Sequence, residues 1–234
     1  MRNRVPHARR HGLPARRRRS AGFSLMEVLV AGTVSVVVLL GLMAFFDSQQ
    51  RAYAAVNSYA QSQNVTRTAI DLIARELRMS SFDPTGTAIL PQPVFLPCPD
   101  VKQGLVLGMP GLIRFQQDLD GDGLLLSAGE DVMYGQVGRQ ILRWDLGTLG
   151  TGVALVTGVP TDGLRSTYFD GAVPPNELVP AGSPPTLTQG QRACVEKVQI
   201  RIEAQIDSPH PSMNDLRSVV ESGVAIRNRS IAKF

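Results

Sequence analysis

Apolar and polar residues alternate along this chain in three different ways, and each predicts a different element. From Val28 to Phe46 no charged side chain occurs. About 19 residues of helix rise roughly 28 Å, close to the hydrocarbon thickness of a bilayer. From Asp47 to about Ser80 neither Gly nor Pro occurs, and Val56, Tyr59/Ala60, Ile70, Ile73 and Leu77 recur mostly at steps of three and four, with Gln63 a polar exception. That spacing predicts an amphipathic continuation of the same helix. Asp71, Arg75, Glu76 and Arg78 take its other face, with Asp71 and Arg75 at the spacing of an i,i+4 ion pair. Phe82-Asp83-Pro84 stops the helix. A helix from Phe23 to Ser80 would hold roughly 58 residues and span about 87 Å; a separate second helix after a kink near Gly41 fits the same pattern.

Beyond residue 81 the period changes. Short apolar runs at Gly104–Gly108, Leu112–Phe115, Asp131–Tyr134, Gln140–Trp144, Val153–Val156 and Leu164–Phe169 are separated by Gly, Pro and Asp clusters. The clearest strand is Val198–Ile206, where Val198, Ile200, Ile202, Ala204 and Ile206 share one face and Lys197, Gln199, Arg201, Glu203 and Gln205 the other. Strict period two marks a half-buried, antiparallel strand. A last strand is expected over Ser218–Arg227, and exposed loops over 172–190 and 207–215. The predicted class is α+β: a long N-terminal helix, transmembrane in its first half, packed on an antiparallel sheet domain. The expected organisation is a basic leader 1–22, an apolar helix 23–46, an amphipathic helix 47–80 and a β-rich domain 81–234.

Charge sharpens the picture at the N-terminus. The chain sums to +4, but residues 1–22 carry eight of its 24 basic side chains and no acid, leaving 16 basic against 20 acidic groups after them. The basicity is therefore a tail, not a nucleic-acid-binding surface, and no obvious basic or aromatic cluster remains in the acidic part. Three histidines, two of them His7 and His11, leave only His210 after the tail, which excludes most histidine-based metal and nucleophile chemistry. Two cysteines cannot build a zinc finger or an iron–sulfur site. No Gly-x-Ser-x-Gly or phosphate loop occurs, so an enzyme is not expected.

An ordinary secretory signal discards its apolar stretch at a later small-residue site. Here the processing point, between Gly22 and Phe23, precedes the apolar stretch, so cleavage would remove the arginines and keep the helix. The arginines would hold the leader in the cytoplasm and send the C-terminus outward. Arg18-Arg19 also raises a twin-arginine export signal, which lacks its small-x-small site here, and an uncleaved membrane anchor is the plain alternative. Glu27 separates these readings: a carboxylate at the edge of a membrane span needs a partner and a task.

The run Gly22-Phe23-Ser24-Leu25-Met26-Glu27-Val28-Leu29-Val30-Ala31 resembles the class III signal of type IV prepilins and of type II secretion pseudopilins. The resemblance implies that an inner-membrane prepilin peptidase cuts after Gly22 and methylates Phe23, and that Glu27 attracts the terminal amine of a neighbouring subunit during assembly. Opposite charges in a medium of low dielectric attract strongly enough to set such a register. Arg67-x-Ala69-Ile-Asp71-x-Ile-x-Arg75-Glu76-Leu77-Arg78, the Tyr-Phe-Asp-Gly end of Leu164–Gly171 and the closing Val224-Ala-Ile-Arg-Asn-Arg229 are similar to the PilW group of minor pilins, relatives of the J-type minor pseudopilin. The K-type relative commonly lacks the signal glutamate, and Glu27 argues against it.

The implied function is structural: a minor pilin that primes pilus assembly or sits in the tip complex, or else a minor pseudopilin of a type II secretion system. Implied partners are the prepilin peptidase, other minor pilins, the major pilin, the inner membrane and a tip adhesin, with no nucleic acid. The protein would lie in the inner membrane with its C-terminal domain periplasmic, and then at the pilus tip on the cell surface. Cys98 and Cys194 would both be extracytoplasmic, where a disulfide between them persists; two free buried thiols are the alternative.

One segment carries ligand chemistry. Asp118-Leu-Asp120-Gly-Asp122-Gly123 matches the first half of a calcium loop, with hard oxygens at alternate positions and the Leu124 carbonyl able to add one more. The match then fails, because the twelfth position is Gly129, with Glu130 and Asp131 one and two residues late. Either Glu130 or Asp131 closes an irregular Ca2+ loop, or the segment is a solvated Asp/Gly turn between two strands.

Overall fold

The computed structural model describes residues 22–88, 104–148, 150–205 and 217–226. The architecture is α+β: a long N-terminal helix, largely apolar in its first half, followed by two antiparallel sheets. The helix, α1, is a single element over Leu25–Met79. The described residues divide into two compact units, with the boundary between Gln49 and Gln50.

In the first unit every residue from Gly22 to Gln49 is exposed, as are Gln50 to Tyr53 beyond it. This is the one helix among the described residues long and apolar enough to cross a membrane. Its two hydroxyls in the charge-free run bond within the helix, Thr33 Oγ1 to the Val30 carbonyl at 2.9 Å and Ser35 Oγ to the Ala31 carbonyl at 2.7 Å. No hydroxyl is left needing water, which suits an apolar surrounding.

The second unit begins with the rest of α1 and adds nine strands and a short helix. Strands β1 (Leu105–Met109), β2 (Leu112–Gln116), β3 (Asp131–Val137), β4 (Gln140–Asp145) and β5 (Val153–Thr157) form an antiparallel meander in that order. Strands β6 (Leu164–Phe169), β7 (Glu177–Leu178), β8 (Lys197–Gln205) and β9 (Arg217–Ala225) form a second sheet in the order β7-β6-β8-β9. One core joins all three layers: Ile70, Ile73 and Leu77 from α1, Phe115 and Tyr134 from the first sheet, Tyr168, Ile200 and Ile202 from the second. Residues Val198, Ile200, Ile202 and Ala204 are buried on one face of β8, as period two requires; Ile206 and the 207–215 segment lie outside the described residues.

Three expectations need correction. Burial along α1 starts only at Thr66, and Val56 and Tyr59 are 68% and 38% exposed, so the buried stripe is shorter than the apolar one. Glu76 does not face solvent: its carboxylate accepts hydrogen bonds from Tyr134 of β3 and Arg143 of β4. Asp71 and Arg75 stand exposed with no ion pair between them, since two long side chains in water gain little by pairing. In addition, the expected 172–190 loop contains β7 and the start of α2 (Gln189–Cys194). A capping box of Thr188 with Gln191 opens α2.

Candidate functional site

Chemistry concentrates in two places, one in each unit. The first is the start of α1. Gly22 and Phe23 are exposed, Phe23 by 84%, and precede the first helical residue. The Ser24 carbonyl accepts the backbone amides of Glu27 at 3.0 Å and Val28 at 3.2 Å, which makes Ser24 the cap of the helix. Glu27 reaches back, and its Oε2 accepts the Ser24 amide at 3.4 Å. A carboxylate in the first turn also meets the positive end of the helix dipole. Glu27 therefore sits in the first turn of an exposed apolar helix and is the sole acid between Gly22 and Phe46.

The second place is the loop between β2 and β3. Gly121 and Gly123 adopt φ of +77° and +80°, a left-handed conformation that side chains resist. A Cβ on Gly123 would lie 2.7 Å from Thr87 Oγ1. These turns wrap the backbone around Asp118, which is fully buried and whose carboxylate accepts the amides of Gly121 at 2.6 Å and Gly123 at 3.2 Å. Glu130 is also fully buried and accepts the amides of Leu119 at 3.0 Å and Ser127 at 2.8 Å. Asp120 is exposed; its Oδ2 accepts the Ser127 hydroxyl at 2.7 Å, and this bond with the Asp122 amide holds its carboxyl below the ordinary value.

Asp118, Asp120 and Glu130 each bring one carboxylate oxygen within 4.8 Å of the others. Of the alternatives for the closing ligand, Glu130 therefore converges and Asp131 does not. Asp131 turns into the sheet, where Arg114 donates to it through Nε at 2.8 Å and Nη2 at 2.6 Å and Gln116 adds a third bond at 2.9 Å. Burial pushes the Asp131 carboxyl up, but the bonds from Arg114 and Gln116 and the Arg114 charge outweigh it and hold it below its ordinary value. Asp122 and Leu124 also fall outside the cluster; both are exposed, and the Asp122 carboxylate accepts the Leu124 amide at 2.7 Å. What sequence reasoning missed here is Ser127, whose spacing to Glu130 is that of a Ser-x-x-Glu box and could have pointed to it.

Cys194 ends α2, is 6% exposed and is not a free thiol. Cys98 lies outside the described residues, as do residues 1–21 of the leader expected over 1–22. Comparison of the chain with protein-family models, with curated proteins and with solved structures returns no match.

Proposed function

We propose that the chain is a minor pilin of a type IV pilus, which primes assembly or forms part of the tip complex with other minor pilins. The observation that supports this most is the start of α1. An exposed apolar helix follows closely on Gly22-Phe23, carries Glu27 in its first turn as its sole acid before Phe46, and continues into a folded α+β body. A prepilin peptidase would cut between Gly22 and Phe23 and methylate the new amine of Phe23. The helix anchors the subunit in the inner membrane and afterwards packs among the helices of the filament. In both settings apolar atoms surround Val28–Phe46, which is what so much exposed apolar surface requires. Glu27 then offers the charge that a neighbour's terminal amine seeks.

As part of the same proposal, the Asp118–Asp120–Glu130 cluster holds Ca2+, and Cys194 pairs with Cys98. Three hard oxygens converge, and none of these carboxylates has an ion-pair partner among the described residues. Two substitutions test the assembly reading in the native host. Gly22→Val should leave unprocessed precursor on an immunoblot, whereas Glu27→Ala should be cleaved normally yet fail to enter sheared pili. Normal processing of Gly22→Val, or normal incorporation of Glu27→Ala, contradicts it.

A further inference from the structure

The chain scatters its arginines after residue 22, but the fold gathers three of them. Arg165 on β6, Arg201 on β8 and Arg217 on β9 occupy exposed positions of the second sheet, on the face away from the buried Leu164, Ile202 and Ser218. Together with Thr161, Asp162 and Glu203 they line a cleft of about 190 Å³. Arg165 lies directly opposite Arg201 in the β6–β8 register. Like charges at opposed positions of an antiparallel pair repel. Arg201 and Arg217 have compensation, because Glu203 accepts hydrogen bonds from them at 3.4 Å and 2.5 Å. Arg165 makes no hydrogen bond or ion pair among the described residues.

We propose that this cleft docks a carboxylate side chain from an acidic segment of a partner protein, with Arg165 as its principal contact. Among the described residues the lining holds three guanidinium groups against two carboxylates, an excess of one positive charge. A guanidinium presents a planar fork that matches a carboxylate. The cleft already holds one carboxylate, Glu203, which accepts one N–H from each of two of its arginines. A second carboxylate on Arg165 supplies the counter-charge that its opposition to Arg201 demands. Nucleic acid fits poorly: its closely spaced phosphates, about one charge per 1.7 Å of duplex axis, would meet Asp162 and Glu203 as well as the arginines. The inference stands on this face alone and does not rest on the pilin reading.

The test is fluorescence anisotropy of a labelled hexaglutamate peptide titrated with the full chain in uncharged detergent at low salt. Arginines elsewhere bind acidic peptides without a site, so the readout is the difference between variants. Arg165→Gln should weaken binding at least tenfold, Arg78→Gln on α1 should leave it unchanged, and Glu203→Gln, which frees Arg201 and Arg217, should tighten it. Trp144 emission matching that of the unaltered chain shows that each variant is folded. Equal affinity for Arg165→Gln and the unaltered chain overturns the proposal. So does tighter binding of a labelled hexathymidylate through the same arginine, which would make the partner a nucleic acid.

Discussion

Glu76 offers the sharpest energetic test, because the helical pattern and the folded structure disagree about it. Its carboxylate accepts three hydrogen bonds, from the Tyr134 hydroxyl at 2.6 Å and from Arg143 Nε and Nη2 at 3.1 Å each. Tyr134 is completely buried, and burial together with the Glu76 charge pushes its phenol far above the ordinary value. The side chains of Arg143 and Glu76 are only 21% and 17% exposed. In Glu76→Ala the tyrosine loses its acceptor, at about 1–3 kcal/mol for an unsatisfied buried group. Arg143 keeps only the Asp145 carboxylate at 3.8 Å. Breaking a fully buried ion pair costs roughly 3–5 kcal/mol, and partial exposure brings the combined loss to about 3 kcal/mol. For a chain of this size that lowers Tm by roughly 6–12 °C.

Urea unfolding of the full chain in detergent, followed by the single tryptophan, Trp144, next to Arg143 on β4, reads this directly. A cycle with Arg143→Met adds a second criterion: the double variant should be little worse than either single one. If Glu76 instead faced water, its removal would change stability by no more than about 0.5 kcal/mol. That result, or strictly additive losses in the cycle, refutes the reasoning.

Four further outcomes are expected. Calcium chloride titrated into the full chain in a calorimeter should give saturable heat that Asp120→Ala removes; no heat from the unaltered chain contradicts the calcium assignment. Reduction of the proposed Cys98–Cys194 bond should slow migration on a denaturing gel and lower stability by about 4.7 kcal/mol, the chain-entropy value for a loop of roughly 97 residues. Because the folded Asp131 carboxyl lies below its ordinary value of 3.8, its stabilising contribution is complete above that pH and is lost as acid passes through the lower, folded value. Acid unfolding of Asp131→Asn, followed by Trp144 emission, should therefore lack that component. Gly123→Ala, which forces a side chain into a φ of +80° beside Thr87, should destabilise the loop and weaken any calcium heat without altering α1.

Regular spacing made much of the fold legible. The charge-free run and the absence of Gly and Pro over 47–80 gave α1 almost to the residue, and period two gave β8 with its buried face. The short elements between β6 and β8 were not legible. β7 pairs through only two residues, Tyr168 with Leu178 and Phe169 with Glu177, and a six-residue helix such as α2 is too short to display a period. Glu76 was misread because helical spacing assigns a face but not the partners that another element brings to it. Tyr134 and Arg143 stand 58 and 67 residues away in sequence. The same holds in the loop, where Glu130 and Asp131 differ by one position and strand register sets Asp131 opposite Gln116, within diagonal reach of Arg114. The arginine cleft is a third case, assembled from three strands that no local pattern connects.

The most direct test of the central claim is intact mass spectrometry of the protein recovered from its native membrane, with fragmentation of its first residues. The account predicts a polypeptide beginning at Phe23 with one methyl group on its amine and α1 retained. A chain that still begins at Met1, or one that starts beyond Phe46, contradicts it.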